Sequence, residues 1–418
     1  MTEPLPNIRH MRVFLETVRT GSVSRAAELC SLSQPAATQA LRRLEAETGA
    51  PLLTRQARQF TTTRCGALLA DRVERALDHL ATGARASLRG ARDGYGRRRS
   101  YDRLVTAAQL RTLIAVANTG SFTLAARLLA LSQPTVHRAA RSLEDIANVP
   151  FFHATGTGVE LTGAAQIFVS AAKLAQAEIR QAKEEIEREQ GLDAGTFNLG
   201  SLPLARTAIV PRATHATVAE NPGLQIRVVD GRYSELLRGL REGDLDCLIG
   251  ALRTPDPAED VTQEPLFVDE LAIVAHPRHP LAGRADVSLQ ETMAYPWVAP
   301  PKTTPAGAFL FETLRIDRHP VTPVRVVSSS LVMLRGILAE GDYVSIVSRH
   351  QIGVDQAAGH IVPLNVALHG SQRAIGLTYR SAWRPTATQH RFLDQLRRFG
   401  AMAGPAPVAG SGKTCIPE

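Results

Sequence analysis

The chain has 418 residues, of which 44% are hydrophobic and 21% are charged, and its formal net charge is +8. This length accommodates two or more globular domains, and no apolar run reaches the roughly 18 to 20 residues that a membrane span requires. The N-terminus lacks the features of a signal peptide, and the four cysteines are scattered without a C-x-x-C pair. The sequence therefore predicts a cytoplasmic protein without a disulfide framework.

The positive charge is concentrated at one end of the chain. Residues 1–103 contain 18 arginines and 10 acidic residues, whereas basic and acidic residues balance over 104–190 and again over 191–418. A basic segment on an otherwise neutral chain is typical of contact with a polyanion such as DNA.

One sequence pattern occurs twice, 99 residues apart. The first copy reads "TGSVSRAAELCSLSQPAATQALRRLE" over 20–45, and the second reads "TGSFTLAARLLALSQPTVHRAARSLE" over 119–144. In the first copy, apolar spacing predicts helices over 8–19 and 23–29 and a third helix that starts after the N-cap Ser33 and runs to about residue 47. Two helices joined by a tight turn form a helix-turn-helix unit, and the threonine-rich, basic segment 51–66 predicts a two-stranded wing.

The third helix has a narrow apolar stripe on one side and small, polar and basic residues on the other. Such a face suits the major groove of DNA, although an ordinary solvated helix face has the same pattern. The predicted DNA-binding residues of the first copy are Ser33, Gln34, Pro35, Thr38, Gln39 and Arg42, together with Arg55 in the wing. Those of the second copy are Ser132, Gln133, Pro134, His137, Arg138 and Arg141.

The two wings differ in charge. Arg55 and Arg58 of the first copy align with Ala154 and Thr157 of the second. Because phosphate contacts supply much of the affinity for DNA, we expect the second copy to bind DNA more weakly by itself.

A long helix is predicted after the second copy. Its apolar residues from Phe168 to Ile186 are spaced alternately by four and three, which is a coiled-coil pattern. If this stripe pairs two chains, and if the Gly/Arg-rich segment 83–103 is a mobile tether, a homodimer presents four DNA-reading units. The alternative is intrachain pairing of the two copies, so that one chain imitates an ordinary dimer.

From about residue 196, predicted strands alternate with helices, which indicates α/β units with mostly parallel sheets. Ligands of such sheets bind at the carboxyl ends of strands, near helix N-termini. The predicted effector-binding residues are Ser201, Lys302, Thr303, Thr304 and Ser329. They suit a small polar or anionic molecule, although a solvated loop charge is the slightly favoured interpretation of Lys302.

Three short motifs suggest chemistry that their context does not support. "GSGKT" (410–414) lacks the first glycine of a phosphate-binding loop, "SAAK" (170–173) lies on the coiled-coil helix, and "HPRH" (276–279) lies in a proline-rich turn. The sequence therefore predicts no catalytic set, metal site or cofactor, and the chain is not expected to be an enzyme.

The first copy resembles the DNA-binding domain of LysR-type transcriptional regulators. The resemblance rests on the Ser-Gln-Pro cap, the Leu-Glu helix end, the wing arginine and the helix that follows. Segments such as "LREGDLDCLIGAL" and "PLFVDELAIVAHPRHPLAG" resemble the effector-binding domain of the same family, so the resemblance covers nearly the whole chain.

The resemblance implies an α+β multidomain fold with two tandem winged helix-turn-helix domains and a two-lobed effector domain similar to periplasmic solute-binding proteins. The expected divisions are winged domains at 6–65 and 104–163, a helix and basic linker at 66–103, a dimerisation helix at 164–190, the effector domain at 195–400 and a disordered tail at 401–418. The implied partners are double-stranded DNA, a small-molecule effector and further copies of the chain, with RNA polymerase as a candidate and no membrane. The alternatives are a second copy that binds protein instead of DNA, and a cytosolic solute-binding protein.

Overall fold

The computed structural model describes residues 5–56, 59–89, 101–156, 158–192, 195–318 and 322–404. The chain divides near residue 195 into two compact units, called here the N-terminal and C-terminal units. Arg58 and Thr157 in the predicted wings, and all but the first four residues of the predicted tail, lie outside the described residues. None of the described helices is both long and apolar enough to span a membrane.

The first copy of the repeat folds into three helices and a hairpin, followed by a long helix. The elements are α1 (Ile8–Thr20), α2 (Val23–Leu29), α3 (Gln34–Thr48), β1 (Leu53–Gln56), β2 (Gln59–Thr62) and α4 (Arg64–Arg89). Gly21 ends α1 in the left-handed conformation, and the Ser33 hydroxyl accepts a hydrogen bond from the Ala36 amide to cap α3. β1 and β2 pair antiparallel and form the predicted wing.

The second copy repeats this arrangement. Its elements are α5 (Ala107–Thr119), α6 (Phe122–Leu129), α7 (Gln133–Ala147), β3 (Phe152–Thr155), β4 (Gly158–Leu161) and α8 (Gly163–Glu189). Gly120 ends α5 as Gly21 ends α1, and Ser132 caps α7 as Ser33 caps α3. One continuous apolar core runs through both copies and both long helices.

The two long helices, α4 and α8, pack against each other within one chain. They are antiparallel, because Arg64 at the start of α4 lies 3.7 Å from Glu189 at the end of α8, and Gly83 near the end of α4 faces Ala171 near the start of α8. At Gly83 the helices approach so closely that a β-carbon there would lie 2.2 Å from the Ala171 β-carbon.

This packing corrects two expectations. The apolar stripe of α8 was expected to join two chains, but α4 of the same chain covers it, as the intrachain alternative requires. Residues 83–89 of the expected tether belong to α4, and residues 90–100 lie outside the described residues. Tyr101 is buried, with its hydroxyl 2.7 Å from that of Ser87.

The C-terminal unit contains two five-stranded sheets. The first is ordered β6-β5-β7-β14-β8, from β5 (Gly195–Ser201), β6 (Leu224–Val229), β7 (Cys247–Ala251), β8 (Val261–Asp269) and β14 (Arg373–Arg380). The second is ordered β11-β10-β12-β9-β13, from β9 (Leu271–Ala275), β10 (Trp297–Ala299), β11 (Val324–Val327), β12 (Val344–Ser348) and β13 (Val362–Pro363). The chain crosses between the sheets from β8 to β9 and returns from β13 to β14, which gives two lobes.

Helices flank both sheets. They are α9 (Ile209–Glu220), α10 (Tyr233–Glu242), α11 (Leu289–Thr292), α12 (Pro305–Ala308), α13 (Leu331–Glu340), α14 (Gly353–Ala357) and α15 (Ala387–Ala401). The sheets are mixed and not mostly parallel as expected, because β14 runs antiparallel to both of its neighbours and β9 runs antiparallel to β12 and β13.

Candidate functional site

The third helix of the first copy presents the predicted polar face to solvent. Pro35, Gln39 and Arg42 are exposed, whereas the opposite stripe of α3 is buried in the core. Thr38 is half-buried, and its hydroxyl donates to the carbonyl oxygen of Gln34 over 3.0 Å. Ser33 is engaged as the helix cap. The side chains best placed to reach base edges are therefore Gln39 and Arg42.

The second copy presents a different chemistry on the same scaffold. Gln133, Pro134, His137, Arg138 and Arg141 are all exposed on α7. The His137 ring packs edge-on against Phe122, with ring centroids 5.2 Å apart, and Arg141 forms a 2.6 Å ion pair with Glu144. Arg138 is thus the counterpart of Gln39, and both project from the equivalent turn of their helices.

A glutamate near the end of the third helix holds the wing of each copy by hydrogen bonds. Sequence analysis used this residue only as a marker of the helix end. Glu45 accepts hydrogen bonds from the backbone amides of Leu52 and Leu53, and Glu144 does the same for Phe151 and Phe152. These hydrogen bonds fix the position of the wing relative to the third helix, which is α3 in the first copy and α7 in the second. The signal in the sequence is a glutamate eight residues before the first wing strand in both copies.

The wings themselves differ as the sequence predicted. Arg55 is exposed on β1, and its counterpart Ala154 is exposed on β3. The exposed Thr61 on β2 is replaced by the exposed Glu160 on β4. The first wing therefore carries an exposed cation that the second lacks, and the second carries an exposed carboxylate that the first lacks.

The long helices fix the spacing between the two copies. At 1.5 Å per residue, α4 is about 39 Å long. Each wing directly precedes the N-terminus of its long helix, and these N-termini lie at opposite ends of the antiparallel pair. The N-termini that follow the two wings are consequently about 39 Å apart along the helix pair, close to the 34–36 Å that separates successive major-groove openings along one face of B-DNA.

A buried charge network holds α4 to α8, and sequence analysis did not identify it. The Arg72 guanidinium, whose side chain is 3% exposed, donates to Glu178 at 2.9 Å, to Gln181 at 2.6 Å and to Glu185 at 2.8 Å. Arg75 adds a second cation 2.9 Å from Glu178. Burial raises the pKa of the Glu178 carboxyl, but hydrogen bonds from His79, Arg75 and Arg72 outweigh burial and hold this pKa well below its usual range.

The predicted effector residues fall into two groups. Lys302, Thr303 and Thr304 follow β10, and Ser329 follows β11; the two strands are parallel neighbours, so both loops lie at one sheet edge. The Ser328 amide donates to the Ala299 carbonyl oxygen over 2.9 Å, which joins the loops directly. Thr303 and Ser329 are exposed there.

The remaining effector residues are less available to a ligand. Thr304 caps α12 through a hydrogen bond from the Gly307 amide. Lys302 lies 2.9 Å from Asp317 and over the Phe311 ring, which agrees with its interpretation as a loop charge. Ser201 is fully buried at the end of β5, and its hydroxyl donates to the Leu202 carbonyl oxygen, so the expectation that it faces a ligand is corrected.

The C-terminal unit also has a cavity of about 1000 Å³ beside the β8–β9 crossover. Arg212, Asp269, Arg349 and His350 line it, and none of the predicted effector residues does. Among the described residues, no group of three His, Cys, Asp or Glu side chains is arranged to hold a metal ion. His279 of the "HPRH" turn accepts a hydrogen bond from the Leu281 amide, which fits a structural role.

Comparison with known proteins gives consistent matches for both units. A family model described as the LysR substrate binding domain matches residues 190–401, and one described as a bacterial regulatory helix-turn-helix protein of the lysR family matches twice, at 8–67 and 107–166. The transcriptional regulator GalR of Pseudomonas putida is 32% identical over 377 residues, which cover 90% of this chain and 93% of GalR.

A second relative and a solved structure cover less of the chain. The transcriptional regulator PcaQ of Agrobacterium fabrum is 27% identical over 296 residues, covering 71% of this chain and 95% of PcaQ. The structure of a full-length OxyR variant from Pseudomonas aeruginosa has a TM-score of 0.54 and 21% identity, and it covers 75% of this chain and 99% of that one. This similarity shows the fold.

Proposed function

The chain belongs to the LysR family of transcriptional regulators and has its effector-binding domain, and we propose that its two helix-turn-helix copies act as one DNA-reading pair within a single chain. In this proposal α3 and α7 enter successive major-groove openings on one face of the duplex. The pairing of α4 with α8 sets their separation. One chain then places two helices in the major groove, as two identical subunits do when each carries one helix-turn-helix domain.

The observation that carries the proposal is the antiparallel pairing of α4 with α8. The axial separation of about 39 Å between the N-termini of α4 and α8, each of which follows its wing, suits two groove openings about 34–36 Å apart. The connection from α4 back to the second copy is also short, because Tyr101 meets Ser87 only 14 residues earlier in the chain. Asp102, next to it, forms a 2.7 Å ion pair with Arg12 of α1. These contacts favour pairing within a chain over exchange between chains.

Charge favours the same pairing. α4 supplies the cations Arg72 and Arg75, and α8 supplies their partners Glu178, Gln181 and Glu185. A pair of two α4 helices would bury arginines without these partners, and a pair of two α8 helices would bury carboxylates without the arginines. Because an uncompensated buried charge costs about 3–5 kcal/mol, unlike pairing is favoured.

The first copy supplies more of the non-specific affinity than the second. Arg55 is the wing cation that Ala154 replaces in the second copy. Each phosphate contact contributes about 0.9 to the slope of log affinity against log salt concentration. Arg55→Ala should therefore flatten this slope by about one unit, and Ala154→Arg should steepen it by a similar amount. Arg238→Ala, which removes an exposed arginine from the C-terminal unit, is the charge-matched control and should leave the slope unchanged.

Footprinting tests whether both copies read DNA. The full chain should protect two segments about one helical turn apart on DNA recovered by selection from a random duplex library. Arg42→Ala should weaken protection of one segment, and Arg138→Ala should weaken protection of the other. If Arg138→Ala leaves both segments protected and the affinity unchanged, the second copy does not read DNA, and the alternative of a protein-interaction module is favoured.

We further propose that the effector binds at the edge where the loops after β10 and β11 meet. Thr303 and Ser329 offer exposed hydroxyl groups there. Ser330 caps α13, so the N-terminus of this ten-residue helix adds backbone amides that favour an anionic group. The ligand is accordingly a small polar or anionic molecule.

A further inference from the structure

The third helices of the two copies, α3 and α7, occupy equivalent positions but carry different groups for reading bases. An offset of 99 residues relates every outward position of α3 to one of α7. Pro35 and Arg42 are matched by Pro134 and Arg141, whereas Gln39 is matched by Arg138. Both members of this last pair are exposed at the centre of the outward face. The helix-turn-helix fold is thus duplicated, whereas the residue at the centre of the outward face is Gln39 in one copy and Arg138 in the other.

Glutamine and arginine select different bases. A glutamine amide can donate to and accept from adenine at N6 and N7, whereas an arginine guanidinium donates to guanine at O6 and N7. The guanidinium has no acceptor, so it cannot reproduce the pairing of Gln39 with adenine. Equivalent positions under α3 and α7 therefore favour an A·T pair and a G·C pair, respectively.

The neighbouring residues extend this difference. The Thr38 hydroxyl is turned back to the Gln34 carbonyl oxygen, whereas its counterpart His137 is exposed and held against Phe122. A bulky ring thus stands beside Arg138 where the first copy has a small, inward-turned hydroxyl. The two surfaces differ in shape as well as in hydrogen-bonding groups.

The structure also fixes the order of the two surfaces. A dimer of identical subunits reads a palindrome, because its two-fold symmetry is matched by the DNA. Here the two copies are unlike, and the ion pairs of Arg72 with Glu178 and Glu185 set a single register between α4 and α8. No symmetry operation exchanges the two copies.

We propose that the operator is a pair of unlike half-sites in a fixed order, with an adenine read by Gln39 in one and a guanine read by Arg138 at the equivalent position of the other. This inference rests on the proposed function, since it requires both copies to read DNA. A second chain bound beside the first would repeat the unlike pair and would not make its two halves alike.

Selection from a random duplex DNA library tests the inference with the full chain. The wild type should enrich two different half-sites about one turn apart. Gln39→Arg should change the preferred base pair in one half-site from A·T to G·C, and Arg138→Gln should make the reverse change in the other. Each change of preference should be about 5- to 150-fold, as expected for one bidentate contact. The double exchange should transpose the two base pairs, and the control Arg238→Gln should change neither.

The possible results separate this inference from the function on which it rests. Adjacent half-sites that are inverted copies of each other would overturn the inference but leave paired DNA reading intact. A motif in which both substitutions alter the same half-site, or in which only Gln39→Arg has an effect, would also overturn it. No enriched motif, with intact folding shown by circular dichroism, would overturn both the inference and the proposed function.

Discussion

Removal of the buried cation on α4 should destabilise the N-terminal unit by about 3 kcal/mol. Arg72→Met retains most of the side-chain volume but leaves the carboxylates of Glu178 and Glu185 without their shared partner. Loss of one member of a buried ion pair costs about 3–5 kcal/mol. The lower end applies here, because Glu178 retains Arg75 at 2.9 Å and the Glu185 side chain is 19% exposed, so water partly solvates it.

The two units can be followed separately in one denaturation experiment. Both tryptophans of the chain, Trp297 and Trp383, lie in the C-terminal unit, so tryptophan emission reports on that unit. The N-terminal unit is mostly helical, whereas the C-terminal unit combines helices with two sheets. The part of the far-ultraviolet circular dichroism change that does not coincide with the tryptophan transition therefore follows the unfolding of the N-terminal unit. Arg72→Met should lower the free energy of unfolding in the circular dichroism transition and leave the tryptophan transition in place.

An exposed ion pair provides the matched control. Arg19→Met removes an arginine from contacts with Glu16 and Glu74, but the Arg19 side chain is 49% exposed, so the cost should stay below about 1 kcal/mol. If Arg72→Met costs no more than Arg19→Met, the buried network does not hold α4 to α8 and this reasoning is refuted.

Three further predictions concern helix contact, pH and the effector. Gly83→Ala should lower the free energy of unfolding by about 1–3 kcal/mol because the added β-carbon overpacks against α8, although alanine favours helix formation. The control is Gly163→Ala, whose added β-carbon would have no atom within 4 Å. It should be neutral or stabilising in the same denaturation assay. The pKa of Glu178 is lower in the folded state than in the unfolded state. The stabilisation that its carboxylate provides is therefore complete above the unfolded pKa of about 4.3 and is lost as pH falls through the folded pKa. The loss of unfolding free energy in Glu178→Gln should be smaller at pH 3 than at pH 7, and an equal loss at both pH values would contradict this assignment. Any small molecule that raises the melting temperature of the full chain and alters promoter activity should lose both effects in Thr303→Leu/Ser329→Leu, and retention of both effects would place the effector site elsewhere.

Local signals predicted the helix-turn-helix copies well, because caps and periodicity act over a few residues. Ser33 and Ser132 cap α3 and α7 as expected. The apolar residues assigned to the inner stripe of α3, Ala37, Leu41 and Leu44, are buried. Each of these features depends on neighbours within one turn of helix, so the sequence alone contains the necessary information.

The partner of a helix face is not a local property, and sequence reasoning assigned it wrongly. The spacing from Phe168 to Ile186 identifies an apolar stripe but does not say which helix covers it. Arg72 was counted only in the net charge, because no local pattern shows that Glu178 and Glu185 would surround it more than 100 residues later. If the α4–α8 contact had been known, the sequence would have predicted two DNA-reading units paired within one chain, and not a homodimer with four.

The C-terminal unit shows the same limit. Sequence analysis assigned no helix to α9 (Ile209–Glu220), whose four buried residues include only two large apolar side chains, Ile209 and Val210. Sequence analysis also assigned no strand to β8 (Val261–Asp269). Its register shifts where Gly376 of β14 faces Pro265, and a shift of register breaks the alternation on which strand prediction depends. Ser201 was placed in a ligand cleft by its position after a strand, although neighbouring packing buries it.

Single-molecule energy transfer within one chain tests the intrachain pair most directly. Donor and acceptor dyes are attached at Arg64→Cys and Glu189→Cys, in a chain whose native cysteines other than the buried Cys247 are replaced by serine. The labelled chain is unfolded and refolded with a large excess of unlabelled chain. The account predicts high transfer efficiency, because these two side chains lie 3.7 Å apart in one chain. Low efficiency that rises only when unlabelled chain is omitted would show that α4 pairs with α8 of another chain, and would contradict the account.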